Sequence, residues 1–229
     1  MRDVADLAAL ARSRPGEPLT FGVVSRHSSH AHLLTSWLRS GGVDVEKVIR
    51  IVVLPPQQMV TCMQSQHIDG FCAGEPWNTV AVNEGTGWVV ADSSALAPMH
   101  PEKVLLVHEN FALGQPGEHM ALLRAQLLAC EWCSDLGNRK ELGDLLSRVV
   151  FPQLPAKLIQ ECLESQLAPV FSAPDLHVPS GSKATWLLEE MRRESLLPDT
   201  IKDEELLSAF RVDLYDAMNE SWEQFDYGD

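Results

Sequence analysis

Basic residues are scarce in this 229-residue sequence, which has 18 Lys and Arg against 32 Asp and Glu and a formal net charge of −14. Affinity for nucleic-acid phosphates comes from clustered Lys and Arg, so this balance argues against a nucleic-acid partner. No apolar stretch has the length of a membrane span, and residues 1–18 lack the apolar core and cleavage site of a secretory signal. As written, the sequence predicts a cytoplasmic protein, or a periplasmic or membrane-associated one if its N-terminus is truncated.

Cysteine is also scarce, and five scattered cysteines fit reduced thiols better than a disulfide framework. Cys130 and Cys133 form a C-x-x-C within an apolar, helix-spaced stretch, with no second Cys or His pair nearby to complete a zinc site. Structural thiols and a redox or metal pair are the two alternatives. We expect no cofactor and no metal centre.

What the sequence does contain, from residue 19, is a regular alternation of apolar β-branched runs and amphipathic stretches. The predicted strands are 19–24, 48–54, 68–74 and 87–93. Ser28 or Ser29 can cap the first following helix, Gly41 and Gly42 can end it, and Pro56 suits the first position of the second. This alternation predicts an α/β fold with a parallel sheet buried on both faces.

After a further predicted strand within residues 100–113, the pattern becomes helical. The predicted helices are 117–135, 138–149, 155–166, 181–194 and 203–222, separated by proline-marked breaks. This second half is expected to be a helical layer that needs another surface to cover.

Ligands of open parallel sheets bind beyond the carboxyl ends of the strands, where helix N-termini present unpaired N–H groups. Three predicted strand-to-helix junctions place polar or conformationally special residues there: His30, Pro56, Gln57, Gly74 and Trp77. Gly74 has no Cβ and lets a small ligand approach its backbone N–H. The pattern predicts a compact anion site.

Each of these residues also has a structural alternative. His30 is either a neutral ring that donates to an anion or an ordinary structural histidine. Lys103 is either a ligand or a solvated charge, and Trp77 either covers a ligand or packs between helix and sheet. Glu75 is a candidate catalytic carboxylate, but a role at the helix N-terminus is the better interpretation.

Four motifs, in order, carry a family resemblance: "HAHLLTSWLRSGG", "VVLPPQQMV", "DGFCAGEPWN" and "HPEKVL". With these spacings the sequence resembles the nitrate- and bicarbonate-binding proteins of ABC transporters and their cytosolic nitrate-sensor relatives. "CEWCSDLGNRKELGDLL" and "SKATWLLEEM" extend the likeness over nearly the whole chain.

The resemblance implies a type II periplasmic-binding-protein fold, in which two α/β lobes close on a small planar anion. The anion contacts implied by the matching motifs are His30, Pro56, Gly74 and Lys103. Bicarbonate binders carry an acidic residue at the lysine position, so Lys103 favours nitrate or nitrite. His32 takes the role of His30 if the alignment is two residues out of register.

The resemblance also implies an incomplete clamshell, since the first segment of lobe one has no counterpart here. The expected organisation is an inter-lobe helix and linker over 1–18, α/β lobe two over 19–105, and a helical return segment over 106–229. The resemblance leaves three alternatives: a fragment, a misassigned start, or a truncated homologue whose missing segment comes from another chain. Tight nitrate binding by this polypeptide alone is not expected.

The leading hypothesis is a non-enzymatic solute-binding protein, whose partner is an ABC permease and ATPase or a signalling protein. The alternatives are bicarbonate binding, an enzyme related to thiamine-pyrimidine synthesis that would use Cys72 with His30, and a decayed gene product that binds nothing.

Overall fold

The computed structural model describes residues 3–198 and 200–223, with backbone only for 221–223. Two compact units divide the chain: Met1–His100 with Leu146–Pro169, and Pro101–Leu145 with Val170–Asp229. The first unit therefore includes a segment from later in the chain. The expected division into residues 1–18, 19–105 and 106–229 stays a prediction. Residues 224–229 of the expected return segment lie outside the described residues.

The first unit has the predicted alternation of strands and helices. Its strands are β1 (Leu19–Val23), β2 (Ile49–Val53) and β3 (Gly70–Cys72), and its helices are α1 (Val4–Ser13), α2 (Ser29–Ser40), α3 (Val45–Val48), α4 (Pro56–Gln64), α5 (Trp77–Asn83), α6 (Ser93–Leu96) and, from the later segment, α10 (Ala156–Glu164). A π-helical turn, Leu146–Val150, opens that later segment.

The three strands form a parallel sheet in the order β2-β1-β3. Successive side chains of a strand point to opposite faces. Accordingly, Ile49 and Ile51 of β2 contact one buried cluster, formed mainly by α1, β1 and α2, whereas Val52 contacts a second cluster on α4 and α5. Helices thus cover both faces of the sheet, which confirms the predicted α/β fold class.

Local signals in the sequence define the ends of these helices. Ser28 is the N-cap of α2, and its Oγ accepts a hydrogen bond from the Ala31 N–H at 3.3 Å. Gly41 is the C-cap of α2, and Gly42 follows it with a φ of +73°. Pro56 is the first residue of α4, as predicted.

The second unit is helical in the residues that the structure describes. Its elements are α7 (Glu109–Gly114), α8 (Pro116–Ser134), α9 (Arg139–Leu145), α11 (Gly181–Arg193), α12 (Asp203–Leu207) and α13 (Val212–Glu223), with a 3₁₀ turn at Leu136–Asn138. Lys183 of α11 fixes the preceding loop, since its Nζ donates to the carbonyls of Asp175, Leu176 and Val178 at 2.7–2.8 Å. Burial lowers the pKa of this lysine.

Three secondary-structure predictions are wrong. Residues 87–92 and 101–107 have no regular structure, although strands were predicted in 87–93 and 100–113. The predicted helix over 203–222 is two helices, because residues 208–211 form a turn between α12 and α13. Of the described helices, none is long and apolar enough to cross a membrane.

Candidate functional site: the carboxyl edge of the sheet

The three strands of the first unit end side by side. Val23, the last residue of β1, pairs with both Val53 and Cys72, which are the last residues of β2 and β3. The Leu54 N–H donates to the Val23 carbonyl at 3.0 Å and continues the ladder one residue further. The loops that follow all three strands therefore begin at one edge of the sheet, and α2, α4 and α5 start from these loops.

Three histidines of different exposure lie in the β1–α2 loop and the first turn of α2. His27 is exposed, His30 in the first turn of α2 is half-buried, and His32 is completely buried. The loop is held by Ser25, whose carbonyl accepts from the Ser28 Oγ at 2.7 Å and whose Oγ accepts from the His27 N–H at 3.1 Å. His30 can therefore meet a ligand from solvent without rearrangement of the core, whereas His32 cannot.

Arg26 lies in the same loop, and the sequence analysis missed it. Its side chain is exposed, and Nη2 donates to the Ile51 carbonyl of β2 at 3.3 Å. This contact places a permanent positive charge near the carboxyl edge of the sheet. A basic residue just beyond the end of a predicted β1 was the signal that could have identified it.

The β2–α4 junction is made by two prolines. The Pro55 carbonyl accepts from the Gln58 N–H at 2.9 Å, and α4 begins at Pro56, which fixes φ for the first turn. Pro56 is half-buried and Gln57 is exposed. The side chain of Gln57 is thus available to a ligand at this edge.

The β3–α5 junction is held by side chains from two helices. Asn78 Nδ2 donates to the Ala73 carbonyl at 2.9 Å, and Glu75 Oε2 accepts from the Thr79 N–H at 3.1 Å and the Thr79 Oγ1 at 2.8 Å. The Cys162 thiol of α10 donates to the same Glu75 oxygen at 3.5 Å. These bonds fix the loop around the half-buried Gly74, and they agree with a helix-N-terminal role for Glu75.

The Cys162 thiol remains protonated over the physiological pH range. Its burial and, secondarily, the adjacent Glu75 carboxylate raise the pKa of Cys162 to about 12. A protonated thiol can donate to Glu75, whereas a thiolate there would repel it. This contact connects α10 to the β3–α5 junction.

Trp77 packs in the hydrophobic core of the first unit. Its side chain is 7% exposed, and its ring lies edge-on to that of Phe151, with centroids 6.2 Å apart and planes at 84°. This geometry supports the packing alternative for Trp77. Contact between Trp77 and a ligand stays a prediction.

Lys103 belongs to the second unit, and its side chain is 82% exposed. Its Nζ lies 2.7 Å from Glu102 Oε1. By contrast, the strand register brings three strand-to-helix junctions to one edge of the sheet. These are the junction with His30, the junction with Pro56 and Gln57, and the junction with Gly74 and Trp77. Contact of Lys103 with a ligand at that edge stays a prediction.

The architecture matches that of periplasmic binding proteins. The crystal structure of the periplasmic nitrate-binding protein NrtA from Synechocystis PCC 6803 matches with a TM-score of 0.82 at 24% identity, over 96% of this chain and 60% of that one. Residues 1–147 match the NMT1-like family, so the chain belongs to that family. The predicted resemblance to nitrate- and bicarbonate-binding proteins is confirmed.

Two curated relatives are similar over shorter parts of their own length. The nitrate import ATP-binding protein NrtC of Synechocystis sp. is 40% identical over 64% of this chain and 22% of its own length. The bicarbonate transport ATP-binding protein CmpC of Synechococcus elongatus is 32% identical over 86% of this chain and 31% of its own. The chain thus spans less than a third of either relative.

Proposed function

We propose that this chain belongs to a solute-binding protein for a small planar anion, nitrate or nitrite, and that the anion binds at the carboxyl edge of the β2-β1-β3 sheet. One observation carries the proposal: three strands end in register, and each is followed by a loop and a helix N-terminus. N–H groups at helix starts favour negative charge, and they need no ionisable partner to do so.

In this proposal each junction has a distinct role. Gly74 presents a backbone N–H, His30 donates from a partly exposed ring, and Pro56 with Gln57 shapes the wall between them. Trp77 acts as a packed support. The monoanion also needs a compensating positive charge, because burying an unpaired charge is very costly. Lys103 and Arg26 are the two candidates for that charge.

Nitrate is favoured as the ligand because the matched structure is that of a nitrate-binding protein and because Lys103 is basic. Bicarbonate is the second candidate, since a relative that spans 86% of this chain is named for bicarbonate transport. We propose binding rather than catalysis in either case. An ABC permease and ATPase is the proposed partner, and a signalling protein that responds to the bound anion is the alternative.

Calorimetric titration of nitrate, nitrite and bicarbonate into the purified chain tests the ligand and the source of charge. We expect nitrate to bind more tightly than bicarbonate. The variant that removes the compensating cation, Lys103→Glu or Arg26→Gln, should weaken nitrate binding by about tenfold. That is the loss expected for one charge-assisted hydrogen bond. Lys47→Glu is the matched control, because Lys47 is also an exposed lysine paired with a neighbouring carboxylate, Asp44, at 2.6 Å.

The result assigns the cation directly. Unchanged nitrate affinity in Lys103→Glu removes Lys103 from the site, and unchanged affinity in both variants refutes the requirement for a paired charge. Preference for bicarbonate in the unmodified chain would reject nitrate as the ligand.

A further inference from the structure

The loop before α5 carries a carboxylate next to the proposed anion site. Glu75 directly follows Gly74, whose backbone N–H is proposed to face the anion, and α5 begins two residues later at Trp77. A negative charge beside a bound anion weakens its binding, because like charges repel more strongly where water is excluded. Anion binding at Gly74 therefore depends on where the Glu75 carboxylate is held.

The hydrogen bonds of this carboxylate converge on one of its two oxygens. Oε2 of Glu75 accepts from the Thr79 N–H at 3.1 Å, from the Thr79 Oγ1 at 2.8 Å and from the Cys162 Sγ at 3.5 Å. Oε1 is buried and has no hydrogen-bond partner in the part of the chain that the structure describes. The donors on Oε2 thus set the orientation of the whole group.

These donors come from two different helices. Pro76 is the N-cap of α5 and makes no side-chain cap, so the Glu75 side chain takes that role by accepting from the Thr79 N–H. The Thr79 bonds connect the carboxylate only to its own helix. The Cys162 bond connects it to α10, a helix 87 residues later in the chain, and thereby fixes it relative to the rest of the first unit.

The Cys162 thiol is suited to this position because it keeps its proton and lies on a well-anchored helix. The residue is 4% exposed, and burial raises the pKa of the thiol to about 12, so it stays a donor at physiological pH. Ile159 and Leu163 of α10 are also buried. At the far end of α5, Asn83 Nδ2 donates to Glu161 Oε2 of α10 at 2.7 Å. α10 is therefore anchored independently of the thiol.

From this geometry we propose that Cys162 is a positioning residue of the anion site. Through its bond to Glu75 it holds the carboxylate toward α10, so that the Gly74 N–H, and not the Glu75 charge, meets the anion. Cys162 acts through Glu75 and does not touch the anion itself. The inference rests on the proposed function, since it takes an anion to bind at Gly74.

Calorimetric titration of nitrate into variants of the full chain tests this role. Cys162→Ala removes the donor and should weaken nitrate binding by about three- to fivefold, a moderate loss because a thiol is a weak donor. Cys162→Ser keeps a donor for the carboxylate and should restore most of that affinity. Cys162→Ala with normal nitrate affinity, or a loss that Cys162→Ser does not reverse, would overturn the proposal.

Leu163→Ala is the matched control for a purely structural effect. Leu163 lies on the same helix and is buried to the same 4%, but its side chain cannot hydrogen-bond to Glu75. Leu163→Ala should lower the midpoint of urea denaturation more than Cys162→Ala does, because it leaves a larger cavity, and it should not change nitrate affinity. An equal loss of affinity in Leu163→Ala would assign the effect to stability and overturn the positioning role.

Amide-resolved NMR of the nitrate-free chain separates this proposal from the proposed function. The Gly74 and Thr79 amide resonances should move in Cys162→Ala and return toward their original positions in Cys162→Ser. An unmodified chain that binds no nitrate would reject the proposed function. The shifts then decide the link by themselves: a Gly74 resonance that moves and returns supports it, and one that stays in place in Cys162→Ala overturns it.

Discussion

At the scale of single residues, the β1–α2 loop shows where sequence spacing reaches its limit. The motif "SRHSSHAH" offers three histidines, and helical spacing alone leaves His30 and His32 as alternatives. The burial of the two side chains distinguishes these alternatives, because His32 is 0% exposed and His30 is half-buried. Arg26 escaped attention for a related reason, since its proximity to the Ile51 carbonyl depends on how β1 and β2 pair.

Alanine substitution of the two histidines should give opposite phenotypes. His30→Ala should weaken nitrate binding and leave the free energy of unfolding nearly unchanged. His32→Ala should lower that free energy by about 2 to 3 kcal/mol through the cavity it creates, with the smaller effect on binding. Calorimetry and urea denaturation measure the two quantities. If His32→Ala proves the more damaging to binding, the assignment of His30 is incorrect.

The buried thiol of Cys162 should give the protein a distinctive dependence on alkaline pH. The folded thiol has a pKa of about 12, whereas an unfolded thiol ionises near pH 8.5, so only the unfolded state loses this proton in between. Its stabilising contribution is complete below about pH 8.5 and is lost as the pH rises toward 12.

Comparison of the unmodified chain with Cys162→Ala by urea denaturation isolates this group. The difference in free energy of unfolding between them should shrink by about 1 to 2 kcal/mol between pH 8 and pH 10. A difference that stays constant over that range would show that the thiol is not perturbed by burial and Glu75.

At the scale of elements, the packing of α1 against the end of α2 requires a residue without a side chain at position 41. A Cβ added at Gly41 would lie 2.3 Å from Cγ2 of Val4, closer than packed atoms come. Gly41→Ala should therefore destabilise the first unit by about 1 to 3 kcal/mol, as overpacking does. Thermal unfolding monitored by circular dichroism measures the loss.

A second substitution identifies the cause of that loss. Val4→Ala removes the clashing methyl groups, so the double variant should recover part of the stability lost in Gly41→Ala. Gly42→Ala is the control for backbone strain, because Gly42 has a positive φ but nothing within 4 Å of an added Cβ. Absence of any recovery in the double variant would contradict the contact.

The elements that the sequence predicted correctly are those whose signals are local. β1 and β2 lie in apolar runs with β-branched residues, α2 after β1 has its Ser28 cap, and α4 begins at the expected proline. The segments around Trp88 and Val104 have comparable strand propensity, but these two residues are 62% and 66% exposed, and neither segment is a strand of the described sheet. Strand formation needs a neighbouring strand, which propensity cannot supply.

At the scale of the whole molecule, the sequence predicted the α/β fold class, whereas its expected division of the chain stays a prediction. It could not show that Leu146–Pro169 returns to the first unit, because that depends on packing of Phe151, Leu154 and Leu158 against a cluster far away in sequence. α1 contributes Leu7 and Ala11 to the core of the first unit. The expectation that residues 1–18 link two lobes stays a prediction.

The same division limits what the sequence says about the site. Spacing placed three junctions at helix starts, and the register of the strands places them at one edge. Lys103 was a candidate from the sequence, its place in an anion site was implied by the family resemblance, and it lies in the second unit. The chain spans 60% of the matched nitrate-binding structure, so the complete set of ligand contacts in the whole protein stays part of the proposal.

The most direct test of the account is a nitrate titration of the isotopically labelled chain followed by amide-resolved NMR, which detects weak as well as tight binding. The account predicts saturable shifts at the amides of His30, Gln57 and Gly74 that fit one dissociation constant, with Arg50 at the opposite part of β2 unaffected. Shifts that are absent, linear in nitrate, or scattered away from these three junctions would contradict an anion site at the carboxyl edge of the sheet.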